Sequence, residues 1–173
     1  MQVIDHMEER ILKVKREGEF HYPIYFEKDF ENLAAAVREE KLEGRTICIV
    51  TDTNVSPLYA EEVKRVLSQA SGRVFVFCFQ AGEASKNLDT VQKLYETLIL
   101  NMVGAFHQPR LVYMNMNTLK SLPDQEFACG MGEVLKTGLI CDGGFFRSVC
   151  REQEKIQSRD GDMLASVIRR CCE

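Results

Sequence analysis

The sequence predicts an α/β protein in which a parallel-sheet portion leads into a purely helical portion. Three observations carry that reading. TICIV (Thr46–Val50) and RVFVFCF (Arg73–Phe79) are short continuous apolar runs, with the length and the β-branched and aromatic content of buried parallel strands. A segment with helical periodicity follows each of them. From Thr118 onward the strand-like runs stop and only helical patterns remain.

Taken in order, residues 9 to 26 read as two strands, ILKVK and FHYPIYF, joined by a turn at Arg16-Glu17-Gly18-Glu19. Pro23 has no backbone N–H to give to a ladder, which places the second strand at an edge or a bulge. FENLAAAVREE, Phe30 to Glu40, is rich in strong helix formers. TICIV runs into Thr51-Asp52-Thr53-Asn54 and a helix follows. RVFVFCF runs into the loop AGEASK, and a helix follows from Leu88 to Leu100. Alternation of this kind indicates a Rossmann-like domain, whose ligands bind at the carboxyl ends of the strands. Asp52 and Asn54 follow one strand, Glu83 and Lys86 the next, so both polar pairs are expected at one sheet edge. Carboxylates there accept ribose hydroxyls, and a lysine meets a phosphate or hydroxyl. The plain alternative for TDTN is an Asx turn that caps the next helix. Met102 to Pro109 reads as loop and RLVYM, Arg110 to Met114, as one more strand. A boundary near residues 115 to 120 separates a sheet domain, 1–117, from a helical domain, 118–173.

The helical portion opens with SLPDQEFACGMGEVLKTGLICD, Ser121 to Asp142. Ser121 is a candidate cap, Pro123 suits a first turn, and Asp124 and Glu126 suit the positive end of the helix dipole. Phe127, Met131, Val134 or Leu135, and Leu139 recur at helical spacing. Gly130, Gly132 and Gly138 each cost roughly 1 kcal/mol relative to alanine, so close approach of a backbone or a ligand is expected. Glu133 and Lys136 share a face. They read either as a solvated ion pair or as a carboxylate and an ammonium able to hold a metal and an anionic substrate. Further helices are expected at Gly144 to Cys150 and about Asp162 to Cys172.

Composition bounds the function. The 173 residues are 45% hydrophobic and 28% charged, ordinary for a globular protein. A net charge of −4 and a pI near 5.5, with no basic run longer than two residues, disfavour a nucleic-acid partner. No apolar run approaches the ~20 residues of a membrane span, and MQVIDHMEER is too acidic and polar for a signal peptide. The expectation is a cytoplasmic protein with no membrane partner. The seven cysteines match no zinc-ribbon spacing. Cys48 and Cys78 fall in the apolar runs as small core residues, and no disulfide is expected.

Three segments carry a resemblance. TLKSLPDQEFACGMGEVLKTGLICD, NMVGAFHQP (Asn101–Pro109) and AGEASKNLDTVQKLYETLI (Ala81–Ile99) resemble, in the same order, motifs of the 3-dehydroquinate synthase family of sugar-phosphate cyclases. The resemblance implies NAD and a divalent metal, zinc or cobalt, as cofactors. It implies a phosphorylated sugar-acid substrate and a homodimer. It assigns Asp52, Asn54, Gly82, Glu83, Ala84, Ser85 and Lys86, with Thr118, Leu119, Lys120 and Ser121, to the cofactor. Glu133 becomes the metal ligand, and Lys136 and Asn101 the substrate contacts. Residues 1–117 then correspond to the NAD-binding domain and 118–173 to the start of the metal and substrate domain.

The chain also departs from the family's pattern. The family's glycine-rich pyrophosphate turn has no counterpart, because LYETLIL passes straight into NMVGAFHQP. Leu100 stands where the family has a lysine. His6, His21 and His107 do not match the family's two metal-binding histidines. Both domains therefore read as incomplete, with an internal deletion and a C-terminal truncation. The implied activity is cyclisation of 3-deoxy-D-arabino-heptulosonate 7-phosphate to 3-dehydroquinate with phosphate release, impaired by the shortening. The alternatives are another sugar-phosphate cyclase of the same fold and a catalytically inactive binding module.

Overall fold

The computed structural model describes residues 10–16, 19–100 and 109–173. Glu17 and Gly18 of the expected turn, Asn101, and the loop from Met102 to Gln108 lie outside the described residues. In chain order the elements are β1 (Ile11–Arg16), β2 (Glu19–Glu27), α1 (Leu33–Glu39), β3 (Thr46–Asp52), α2 (Ser56–Leu67), β4 (Arg73–Phe79), α3 (Leu88–Leu100), β5 (Val112–Asn115), α4 (Asp124–Cys141), α5 (Gly143–Arg151), α6 (Gln153–Gln157) and α7 (Gly161–Cys172). Short 3-10 turns occupy Glu83–Ser85 and Met116–Ser121. The α/β class is as the sequence predicts. Two compact units emerge, one of residues up to Asp29 with Leu111–Glu173, the other of Phe30–Arg110. The sequence reading places its single boundary near residues 115 to 120, whereas these units divide after Asp29 and again after Arg110.

In the Phe30–Arg110 unit, β3 and β4 pair in parallel, with Thr46 opposite Arg73 through to Asp52 opposite Phe79. The connecting helix α2 lies against both strands, and α1 packs on α2. Ala34, Ala36, Val37, Ala60, Val66, Leu67 and Ala70 form the buried layer. Small residues on α1 let the two helices approach closely. The apolar runs of β3 and β4 predict strands buried on both faces, but no residue of either strand is fully buried. Among the described residues only two strands pair here, and α3, which follows β4, has no buried residue. With so little to cover the sheet, Val50 stays 49% exposed. Cys78 is exposed too, not a core residue, while Cys48 is half-buried and burial pushes its thiol pKa up.

The other unit holds a mixed sheet in the order β1–β2–β5. β1 and β2 are antiparallel, while β2 and β5 are parallel, from Ile24 opposite Val112 to Glu27 opposite Asn115. The expected last strand therefore pairs with β2 and not with β4. Pro23 tests the edge rule. β2 is the central strand, yet Phe26 gives its N–H to Arg10 at 2.8 Å. By alternation, the side of Pro23 that lacks an N–H faces β5, whose pairing starts only at Ile24. A register shift opposite Val14/Lys15 leaves His21 as the extra residue on β2, so the bulge lies two residues before the proline.

α4 spans Asp124–Cys141 as a single helix. Phe127, Met131, Val134 and Leu135 pack against the buried cluster of Val149, Ile156, Leu164 and Val167. Leu139 does not, being 66% exposed. The start of the helix is a correction. Its N-cap is Pro123, without a side-chain cap, and the Ser121 hydroxyl donates backwards to the Thr118 carbonyl at 2.9 Å. Asp124 and Glu126 do occupy the first turn.

The three glycines of α4 separate. A Cβ on Gly138 would meet the backbone N, Cα and Cβ of Phe146 at 3.1 Å, so glycine is what lets α5 fold back this tightly. A Cβ on Gly130 or Gly132 meets nothing within 4 Å. Gly138→Ala should therefore destabilise by about 1–3 kcal/mol through overpacking. Gly132→Ala should stabilise by up to about 1 kcal/mol through helix propensity. Urea melts of the two variants check both signs.

Asp142 turns the chain from α4 into α5. Its Oδ1 accepts from the N–H groups of Gly144 and Phe145 at 2.9 and 3.0 Å, and its Oδ2 meets Arg170 of α7 at 2.8 Å. The Arg170 guanidinium first, then the backbone N–H of Phe145, hold this carboxyl below the usual 3.8. A depressed carboxyl stabilises the fold above the unfolded value, and that contribution is lost as pH falls through the folded value. Asp142→Asn should thus lower Tm at neutral pH. The gap to wild type should narrow as pH falls below the usual 3.8 and through the depressed folded value, where the wild-type side chain also becomes neutral; thermal melts from pH 2 to 7 check this.

Candidate functional site

The loops after β3 and β4 meet at the carboxyl edge of their sheet, where the sequence places them. Thr53 donates its N–H to the Phe79 carbonyl at 2.9 Å, and its Oγ1 accepts the Ala81 N–H at 3.0 Å. Thr53 is thus the clamp between the loops, a role that a threonine between two polar candidates does not announce. Gly82 then takes φ 111° and ψ 155°, a conformation essentially restricted to glycine. It starts the 3-10 turn Glu83–Ser85, in which Ser85 and Lys86 donate backbone N–H groups to Gly82 and Glu83. Asn87 closes the loop. Its Oδ1 accepts from Thr90 of α3 at 3.0 Å, while its Nδ2 donates to Ala84 at 2.8 Å. The N-x-x-T spacing was a readable signal for that cap.

The charges in these loops pair locally. The Asp52 Oδ1 accepts the N–H groups of Asn54 and Val55 at 2.8 and 3.0 Å. This is the Asx turn, and it leaves the second carboxylate oxygen for other partners. Lys86 Nζ sits 2.5 Å from Glu83 Oε1. Its ammonium is held protonated above the usual range by the hydrogen bond and charge of Glu83, with a lesser contribution from Asp52. Asp52, Glu83 and Lys86 therefore form one electrostatic group at the sheet edge.

In the other unit, the candidates lie on the Met116–Ser121 turn and on α4. Asn115, buried at the end of β5, accepts the Asn117 N–H on its Oδ1 and the Thr118 hydroxyl on its carbonyl. Leu119 packs against the helical cluster and also against the sheet cluster of Ile24, Phe26 and Met116. Lys120 and Ser121 face solvent. Glu133 and Lys136 form an ion pair with side chains 71% and 58% exposed. An exposed i,i+3 pair of this kind adds at most about 0.5 kcal/mol to stability. Among the described residues, no three His, Cys, Asp or Glu side chains converge on a metal site.

Sequence reasoning missed Arg159. It sits at the left-handed position that ends α6, φ 57°, where glycine is the usual residue. Its N–H and that of Asp160 close the helix end on Ile156 and Lys155, each at 3.0 Å. The side chain, 15% exposed, sends Nη1 to the carbonyls of Leu119 and Lys120, both at 3.0 Å. Its Nη2 meets Asp124 at 2.7 Å, and the guanidinium lies 4.9 Å from the Phe127 ring centre. Nothing in SRDGD marks this arginine out, because its partners are 32 to 40 residues away in sequence.

A shallow groove of about 380 Å³ runs between α5 and α7, with Asp142, Ser148, Glu152, Ser166 and Arg170 among its lining residues. It contains none of the sequence-derived candidates. No helix among the described residues is long and apolar enough to cross a membrane.

Comparison with known proteins follows the same lines. No protein-family profile matches the chain. It is 28% identical to the 3-dehydroquinate synthase of Acetivibrio thermocellus, covering 87% of this chain and 59% of that one. It is 30% identical to that of Symbiobacterium thermophilum, covering 90% and 61%, and 27% identical to that of Desulforamulus reducens, covering 90% and 60%. The chain thus spans about three fifths of the length of the curated relatives it matches. The 212 positions aligned with the first relative exceed, by about 60, the residues that 87% of this 173-residue chain supplies. That excess consists of positions of the relative with no counterpart in this chain. Among solved structures, the 2-epi-5-epi-valiolone synthase of Streptomyces hygroscopicus, determined with NAD+ and Zn2+ bound, superposes with a TM-score of 0.70 at 16% identity. It covers 92% of this chain and 61% of that protein. By sequence this chain is a homologue of the 3-dehydroquinate synthases, and it shares the fold of that valiolone synthase.

Proposed function

We propose that the chain is an enzyme of the 3-dehydroquinate synthase type, slowed by its internal shortening. It would convert 3-deoxy-D-arabino-heptulosonate 7-phosphate to 3-dehydroquinate with release of phosphate. The supporting observation is the pair of loops after β3 and β4, clamped through Thr53 and shaped by Gly82, in a chain homologous to these synthases. Bound NAD would supply a reversible hydride transfer. This chain's share is to seat it. The free oxygen of Asp52 and the Glu83 carboxylate accept ribose hydroxyls, and Lys86 stays cationic beside them. Thr118, Leu119, Lys120 and Ser121, on a turn of the other unit, are proposed as further cofactor contacts on the resemblance alone. Lys136 is the proposed substrate contact on α4, together with Asn101, and the pairing of subunits into a homodimer belongs to the same reading.

The described residues do not hold a divalent metal by themselves. Glu133 is a lone carboxylate already paired with Lys136, and a catalytic site usually takes about three protein ligands. That observation favours a second reading, an inactive dinucleotide-binding module. Phosphate release from the heptulosonate phosphate in the presence of NAD and zinc separates the two. A slow NAD-dependent release supports the enzyme, while its absence with dinucleotide binding retained selects the module.

Two outcomes are expected. Without the glycine-rich turn, several charge-assisted hydrogen bonds of roughly 1.5–3 kcal/mol each are lost, so NADH should bind with a Kd of about 0.1 mM or weaker. Fluorescence titration measures this, and a Kd near 1 μM would refute it. Glu133→Ala should change zinc affinity by less than about tenfold, roughly 1.4 kcal/mol. A stoichiometric zinc site abolished by that substitution in calorimetry would show that Glu133 recruits further ligands.

A further inference from the structure

We propose that Arg159 is a positioning residue for the candidate site. Its guanidinium locks the Met116–Ser121 turn against the start of α4, so that the backbone offered to the dinucleotide and the helix carrying Glu133 and Lys136 keep one fixed geometry. The proposal rests on the functional reading above only for what the turn and helix bind; the lock itself stands on the contacts.

Those contacts are unusual in three respects. The carbonyls of Leu119 and Lys120 lie at the end of a 3-10 turn, where acceptors carry negative partial charge; Leu119 has one long bond from the Leu122 N–H, at 3.4 Å, and both carbonyls have room for the guanidinium. A single Nη1 bridges both, and the same planar group reaches Asp124 in the first turn of α4. One rigid side chain therefore spans the junction from both sides, and the Phe127 ring beneath it fixes its plane. The residue also keeps a left-handed backbone that a β-carbon disfavours. Glycine would end α6 with less strain, so retention of a long side chain at this position points to work done by the side chain. The Asp124 carboxylate is fully exposed and adds little; the two carbonyls and the ring hold the lock.

Arg159→Gly suits the left-handed backbone while removing the whole side chain, so the chain should still fold. Arg159→Lys keeps the charge but loses the planar fork. Amide hydrogen exchange on the full chain reads the lock directly. In Arg159→Gly, the amides of Ser121, Leu122 and Phe127 should exchange at least tenfold faster, while those inside α7 change less than twofold. NADH affinity should fall at least fivefold, with partial recovery in Arg159→Lys. Unchanged exchange at Ser121 and Leu122 overturns the proposal. So does an equal rise across α7, which would mark a general loss of stability. If wild type binds no NADH at all, the functional reading fails, and exchange alone decides whether Arg159 positions the turn.

Discussion

The unit that contains α4 depends on one turn. Leu119, in the middle of Met116–Ser121, is the residue that touches both of its buried clusters, the sheet cluster of Ile24, Phe26 and Met116 and the helical cluster of Val149, Ile156, Leu164 and Val167. A six-residue 3-10 turn is a poor element by itself, because its hydrogen bonds are strained and its side chains eclipse. It holds here because both ends are tied. Asn115 accepts the Asn117 N–H and the Thr118 hydroxyl at the start, and Arg159 donates to the Leu119 and Lys120 carbonyls near the end. Charge-assisted hydrogen bonds of that kind, from a largely buried guanidinium, contribute roughly 1.5–3 kcal/mol each, well above the exposed pairs elsewhere on the surface.

The same contrast between buried and exposed polar groups separates structural from functional candidates. Asp142 and Arg159 spend their charge on backbone groups and on each neighbouring helix, and so hold the fold together. Glu133 with Lys136, and Glu83 with Lys86, form ion pairs between near neighbours in sequence and remain open to solvent. Ion pairs so exposed add little to folding, so the residues are free to trade their partners for a ligand at small cost. Asp52 stands between the two groups, one oxygen committed to its Asx turn and the other uncommitted to it.

The small sheet has physical consequences. Parallel strands are normally buried on both faces by crossover helices. With β3 and β4 the two strands of their sheet among the described residues, that cover is thin, and α3 carries Leu88 at 84%, Ile99 at 64% and Leu100 at 83% exposure. The helix keeps the apolar periodicity of an element that packs on a larger sheet. Its sequence still reads as a buried helix, although the alignment with the relatives leaves about 60 of their positions without a counterpart.

Local chemistry was enough for much of the molecule. Apolar runs with β-branched and aromatic residues located β3 and β4, helical spacing located α4, and Asp52 with Asn54 announced an Asx turn. Strand-to-loop order placed Glu83 and Lys86 at the sheet edge beside Asp52, since each follows the carboxyl end of its strand. These features depend on residues within a few positions of one another, and the chain alone determines them. Tertiary structure decided the rest. It placed β5 beside β2, left Cys78 and Leu139 in solvent, took Ser121 away from the helix cap, and separated Gly138, pressed on Phe146, from Gly130 and Gly132. It also brought Arg159 onto carbonyls about 40 residues earlier. Each of these outcomes depends on which distant surface arrives at a residue, and periodicity within a segment carries no record of that.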